Sequence, residues 1–253
     1  MTAPQIPAGS GRHPIVLVTI AARDLAASSA FYRTLFGWQL QPMSPTLTAA
    51  IAPSGPSLAL NGDVDEGAPG AVPFIAVDDV AGMLARVEGA GGALVRAPWS
   101  MPMVGTMARF TDPWSTHYGL IGSRMGGAAT PVPIPMWDNP RPTPGGLCSV
   151  EMYAADGAAA GRFFGDLFGW GSVETMPSYL GFDPGAGIGG VFQSHTPVAP
   201  VMPYLFVDDV AATLSAIDAA GGTRMGDAMP LPGVATFGYF HDPSGTAMGL
   251  IGP

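Results

Sequence analysis

The sequence predicts an α+β fold built from two homologous domains in tandem. Two observations carry this. Residues 73–122 recur as residues 203–252 at an offset of 130 without a gap, with 21 of 50 positions identical. Upstream, FYRTLFGW at 31–38 is answered by FFGDLFGW at 163–170, at an offset of 132. Self-similarity at a fixed spacing marks a repeated structural unit. Any site is therefore to be sought by comparing the copies.

Each copy reads as two βαβββ units. Residues 13–22 are β-branched and apolar, as a buried strand requires. Asp24 then offers an N-cap, and Leu25, Ser28, Ser29, Tyr32, Leu35 and Phe36 recur at helical spacing. Gly37 ends that helix as a left-handed cap. Residues 38–60 break into three short strands around Pro42, Pro45, Pro53 and Gly55–Pro56. The second unit opens with a strand at 72–77. Asp78 or Asp79 caps a helix carrying Val80, Leu84 and Val87, and Gly91–Gly92 stops it. Strands follow at 93–97, 106–110 and 116–121. Asp112–Pro113 opens the last turn, where Asp bonds its own backbone and Pro presets φ.

The second copy repeats the order, with a strand at 147–154 and a helix at 156–168 capped by Gly169. The expected boundaries are a disordered tail at 1–12, a first domain at 13–123, a Pro-rich linker at 124–146 and a second domain at 147–253. Trp137 is expected to pack the linker down.

Composition excludes several functions. The chain has 253 residues, 47% of them apolar, enough for two real cores. Its net charge is −9, and all ten basic residues are Arg. A Schiff-base or P-loop lysine is thereby ruled out. An acidic chain without an Arg cluster along its sequence argues against nucleic acid. The one cysteine, Cys148, allows no intrachain disulfide and no cysteine zinc cluster; it reads as a small strand residue. No apolar run approaches the roughly 18 residues of a membrane span. The first dozen residues lack the apolar core of a signal peptide. The expectation is a cytoplasmic protein, monomer or homodimer.

The doubled βαβββ unit, with its Asp-capped FYxxLFGW opening and its VDD…DPxG…L close, resembles the vicinal oxygen chelate superfamily. That group includes glyoxalase I, extradiol dioxygenases and fosfomycin- and bleomycin-resistance proteins. In detail the chain is similar to two-domain bacterial members labelled "hydroxylase" or glyoxalase-like. The resemblance implies that each domain curls an eight-stranded sheet into a cup with helices on the outer face. It also implies metal ligands, His or Glu, on the inner strands. In the first domain those positions hold Leu17, Val72 and Gly119; in the second, Ser149, Met202 and Gly249. None is a His or a carboxylate, and a hard divalent ion needs oxygen or imidazole donors. No metal and no other cofactor is therefore expected.

Strand residues alternate faces. If the six implied ligand positions point into the cups, so do their second neighbours. That places Ser149, Glu151 and Tyr153 on one strand, Met202, Tyr204 and Phe206 on another, and His117 beside Gly119. Glu151 is one of four glutamates and sits among apolar neighbours. Buried carboxylates are rare unless paired. It reads as a base or counter-ion, or as a strand residue paired with an arginine such as Arg162. His117 reads as a hydrogen-bond donor or base, or as a satisfied core histidine. Tyr153, Tyr204, Phe206, Phe74 and Trp99 would form aromatic walls for a flat ligand, or simply pack.

Three functions remain open. The first is a metal-free module that binds a hydrophobic or aromatic small molecule, as bleomycin-resistance proteins do. The second is a metal-independent tailoring or isomerising enzyme using Glu151, Tyr153 or His117 in acid–base steps. The third is an interaction role with degenerate cups. The second domain is the expected seat of the ligand.

Overall fold

The structure is a computed structural model, which describes residues 5–64, 70–102, 104–122, 141–195 and 198–253. Trp137 lies outside the described residues. The first half runs β1 (Ile15–Ala21), α1 (Leu25–Phe36), β2 (Gln39–Ser44), β3 (Leu47–Ile51), β4 (Ser57–Asn61), β5 (Ala71–Val77), α2 (Val80–Gly89), β6 (Ala93–Met101), β7 (Gly105–Thr111) and β8 (His117–Gly122). The second half runs β9 (Leu147–Tyr153), α3 (Gly157–Phe168), β10 (Gly171–Met176), β11 (Tyr179–Asp183), β12 (Gly190–Gln193), β13 (Val201–Phe206), α4 (Val210–Ala219), β14 (Thr223–Arg224), β15 (Met229–Leu231), β16 (Ala235–His241) and β17 (Ala247–Gly252). Each half thus holds two βαβββ units.

The sheets follow the halves. The first is eight-stranded, ordered β2-β3-β4-β1-β5-β8-β7-β6; the second follows the same path as β10-β11-β12-β9-β13-β17-β16-β14, with β15 also on β16. In the second sheet the outermost strand is broken around Gly226, whose φ of 131° lies in a region that favours glycine. The expected eight strands become nine for that reason.

The helices share one start. Asp24, Asp79, Asp156 and Asp209 each accept the backbone N–H three residues on, at 2.9, 3.0, 2.9 and 2.9 Å. That bond satisfies one of the orphan donors of a first turn. Gly37 and Gly169 close α1 and α3 with φ of 69° and 72°, as the repeat requires. The Asp–Pro turn also recurs. Asp112 Oδ1 accepts from the Trp114 and Thr116 amides, and Asp242 Oδ1 from those of Ser244 and Thr246, all at 2.9 Å.

Packing divides the chain differently from hydrogen bonding. One compact unit joins α2 and β6–β8 to α3 and β10–β12; the other joins α1 and β2–β4 to α4 and β14–β17. In the first unit Phe164 of α3 meets Tyr118 at 5.1 Å and Trp170 at 4.9 Å between ring centres. In the second, Tyr32 of α1 stacks on Trp38 at 4.2 Å, and Phe31 meets Phe240 at 6.0 Å. Buried aromatic pairs of this kind contribute beyond their area, by about 0.5–1.5 kcal/mol each.

The two FGW tryptophans do more than fill space. In the second unit the Trp38 indole N–H donates to the Gly145 carbonyl at 2.9 Å. In the first, that of Trp170 donates to the His13 carbonyl at 2.8 Å. Each pins the segment leading into a strand. The segment before β1 differs from expectation. Residues 5–12 are laid down rather than loose: the Ser10 amide donates to the Gly169 carbonyl and that of Gly11 to the Pro184 carbonyl, both at 2.8 Å. Gly171 permits the close approach, since a Cβ there would overlap the Pro7 carbonyl.

Candidate functional site

The helix-free face of each half-sheet can be fixed from glycine contacts. In the first unit, a Cβ on Gly122 would touch Val80 of α2, so Tyr118, Leu120 and Gly122 face the helix. His117, Gly119 and Ile121 face away. Register carries this face across the sheet: Phe74 pairs with Gly119, Arg109 with Gly119, Thr111 with His117 and Met107 with Ile121. In the second unit, Gly238 abuts Val210 and Leu214 of α4, so Phe237 and Tyr239 face away from it. Tyr204 pairs with Gly249, and Tyr239 with Gly249.

The nine expected ligand-binding residues divide between the units. Phe74, Trp99, His117, Glu151 and Tyr153 belong to the first, and Ser149, Met202, Tyr204 and Phe206 to the second. In the second unit, Met202, Tyr204 and Phe206 form one buried cluster with Cys148 and Ile251, edged by Ala235, Phe237 and Tyr239. Tyr204 meets Phe237 and Tyr239 edge-on, at 6.4 and 6.2 Å. The Cys148 thiol donates to the Tyr204 carbonyl at 3.3 Å, and burial raises its pKa, which keeps it protonated and unreactive. Ser149, Glu151 and Tyr153 alternate with buried Val150 and Met152 along β9 and remain half-buried. Neither Ser149 nor Glu151 is without an interaction partner.

The positions at which the family resemblance implies a carboxylate have a physical occupant. A Cβ on Gly119 would overlap the Phe74 ring, and one on Gly249 would overlap the Tyr204 ring. In both copies an aromatic ring from the neighbouring parallel strand lies across a glycine. A glutamate at either place would have to displace a buried ring. Leu17, Val72 and Met202 supply no hard donor, and Ser149 is a single hydroxyl. The residues present therefore do not fit a divalent ion. Among the described residues no three His, Cys, Asp or Glu side chains come together.

The first unit's face carries a polar group that sequence reasoning missed. Arg109 lies half-buried between His117 and Arg96. Its Nη2 donates to His117 Nδ1 at 3.4 Å, and its Nε is buried with no acceptor. Arg96 pairs with Arg109 across β6–β7, and its guanidinium sits 4.0 Å above the Trp99 ring. Burial, and then the Arg96 charge, lower the pKa of Arg109. Burial and the Arg109 charge lower that of His117, which favours the neutral ring that an acceptor Nδ1 requires. Pairing β7 with β8 would have placed Arg109 on the face of Gly119. Assigning β8 its inward residues without its neighbour's left the arginine unseen.

Comparison with known proteins places the fold. Residues 15–116 match the model of the Glyoxalase/Bleomycin resistance protein/Dioxygenase superfamily. The chain is 27% identical over 252 residues to a putative glyoxylase, CFP32, of Mycobacterium bovis, covering 93% of each. It is 29% identical over 212 residues to the anthracycline biosynthesis protein DnrV of Streptomyces peucetius, covering 71% of this chain and 67% of that one. The Mn(II)-bound glyoxalase from Novosphingobium aromaticivorans shares the fold, with a TM-score of 0.62 at 15% identity over 97% of this chain and 83% of that one. The first half of the chain thus carries the match to that superfamily's model, and the second half repeats its order of elements.

Proposed function

We propose that this protein is a metal-independent member of the glyoxalase/bleomycin resistance protein/dioxygenase superfamily that binds a hydrophobic, aromatic small molecule on the helix-free faces of its sheets. One observation supports this above the rest: Phe74 and Tyr204 lie over Gly119 and Gly249, where metal-dependent relatives are expected to carry a carboxylate. The same substitution turns a coordination site into an aromatic surface. Met202, Tyr204, Phe206, Phe237 and Tyr239 extend that surface in the second unit. Apolar walls with few polar groups are what a flat ligand requires. Ser149 is the polar group proposed to orient a ligand in the second unit, and Glu151 and Tyr153 are those proposed in the first.

A second reading is a metal-independent tailoring enzyme of small-molecule metabolism. The likeness to an anthracycline biosynthesis protein favours it. Glu151, Tyr153 and His117 would then supply acid–base steps.

The test is a thermal-shift titration with hydroxylated anthraquinones, in EDTA and again with Mn²⁺, Ni²⁺ or Zn²⁺. Binding to the native state raises the melting temperature by mass action. The proposal expects an equal rise with and without metal. No rise with any aromatic, or a rise only with metal, would overturn it.

A further inference from the structure

We propose that the helix-free face of β5–β8 holds an anionic oxygen group, a carboxylate on a planar aromatic ligand, with Arg109 as its principal contact and Arg96 and His117 beside it. The proposal rests on the small-molecule reading above and names the chemistry of one of its faces.

The geometry points to an anion for three reasons. Arg109 is a half-buried cation, and among the described residues no carboxylate pairs with it. The charge that acts on it is a second cation, Arg96. Buried charges are normally paired, because an uncompensated one is costly. Two guanidinium groups across one strand pair repel, and a bound anion would offset that cost.

Hydrogen bonding gives the second reason. A guanidinium carries five N–H donors and no acceptor. On Arg109 the Nη2 group meets His117 Nδ1, while Nε has no acceptor among the described residues. Carboxylates match this fork with two parallel bonds, which a phenol or an amide cannot do. His117 accepts through Nδ1 as a neutral ring, so its proton sits on Nε2 as a further donor.

The third reason is support. Trp99 lies under Arg96 at 4.0 Å and limits where that side chain can go. A charged group held by stacking is preorganised to receive an anion. Phe74, buried over Gly119, backs the site with an apolar ring next to Arg109, because both residues pair with Gly119.

The experiment compares anthraquinone-2-carboxylate with anthraquinone-2-carboxamide by calorimetric titration at low salt. The two probes share a ring system and differ in charge. The wild-type protein should bind the carboxylate at least about tenfold more tightly, as one charge-assisted pair implies. Arg109→Gln should erase that preference, bringing the two affinities together. Arg96→Gln, on an exposed side chain, should reduce it several-fold and serves if the first variant does not fold. Equal affinity for both probes in the wild type would overturn the anion site while leaving aromatic binding intact. A carboxylate preference that survives both variants would overturn the role of this face. Failure of both probes to bind would overturn both readings.

Discussion

The two half-sheets β5–β8 and β13–β17 are copies 130 residues apart, and they use one backbone device for different ends. In each, an aromatic ring crosses a glycine on the next parallel strand: Phe74 over Gly119, Tyr204 over Gly249. Around that shared feature the side chains diverge. Arg109 is matched by Tyr239, His117 by Ala247, Trp99 by Met229 and Arg96 by Gly226. One face gathers two arginines beside its histidine; on the other the arginines are gone, rings take over, and the imidazole is His241, paired with Ala247. Duplication fixes where residues point, and later substitution decides what they can hold.

The largest expected effect follows from the shared device. Gly119→Glu and Gly249→Glu each force a carboxylate into space filled by a buried ring. Overpacking and charge burial together should lower stability by about 3 kcal/mol or more. Urea denaturation would show this as a lower midpoint for both. If either variant is as stable as the wild type and binds Mn²⁺, the ring is no obstacle and the comparison fails.

A second contrast lies in the buried Asp–Pro turns. In the second unit Asp242 Oδ2 accepts the Tyr32 hydroxyl at 2.9 Å. In the first, Tyr118 sits beside Asp112 and couples to it, but neither Asp112 Oδ2 nor the Tyr118 hydroxyl finds a well-aligned partner. Burial pushes the Asp112 carboxyl up to about 6, against the opposing pull of the Thr116 and Trp114 amides. A raised acid pKa favours folding in the protonated form. That contribution is complete below about pH 4 and is lost as pH rises through about 6. Asp112→Asn should flatten the stability profile across this window, removing about 3 kcal/mol of pH dependence. Thermal denaturation at pH 4, 5, 6 and 7 would reveal a wild-type slope and a shallower one in the variant, where Asp242 alone remains. The full wild-type slope retained in Asp112→Asn would assign it to another group. Asp242 is raised by burial as well, so Tyr32→Phe should raise it further and steepen the slope.

A smaller effect separates the two faces directly. Without ligand, Arg109→Met removes a half-buried cation beside another cation. Stability should rise by about 0.5–1 kcal/mol after allowance for solvent screening. The gain should shrink as salt is added. A loss of stability in low salt would mean that Arg109 already has a compensating partner.

The fold was largely legible because its signals are local. Asp caps, left-handed glycines and the Asp–Pro turn each follow from a few adjacent residues. The repeat then multiplied every signal by two. The site was legible only in part. Alternation along single strands correctly set Tyr204 and Phe206 on a common face with Met202, but Arg109 needed the register between β7 and β8. The rings over Gly119 and Gly249 needed a parallel pairing, which joins residues some 45 apart in sequence. The pinned segment at 5–12 escaped because its composition reads as linker, and what holds it are backbone bonds to the distant α3 cap Gly169 and to Pro184 after β11.

Glu151 offers a test within the second half of the chain. Glu151→Gln keeps the shape and removes the charge. If it orients the ligand, affinity should fall about ten- to a hundredfold with stability unchanged or higher. Unchanged affinity with lost stability would make it a structural residue.

Metal content tests the central claim most directly. The protein is purified in Mn²⁺- and Ni²⁺-supplemented buffer, passed through gel filtration and analysed for its elements. The rings over Gly119 and Gly249 predict no stoichiometric divalent ion. About one Mn, Ni, Zn or Fe per chain, lost together with ligand binding on chelation, would contradict a metal-independent site.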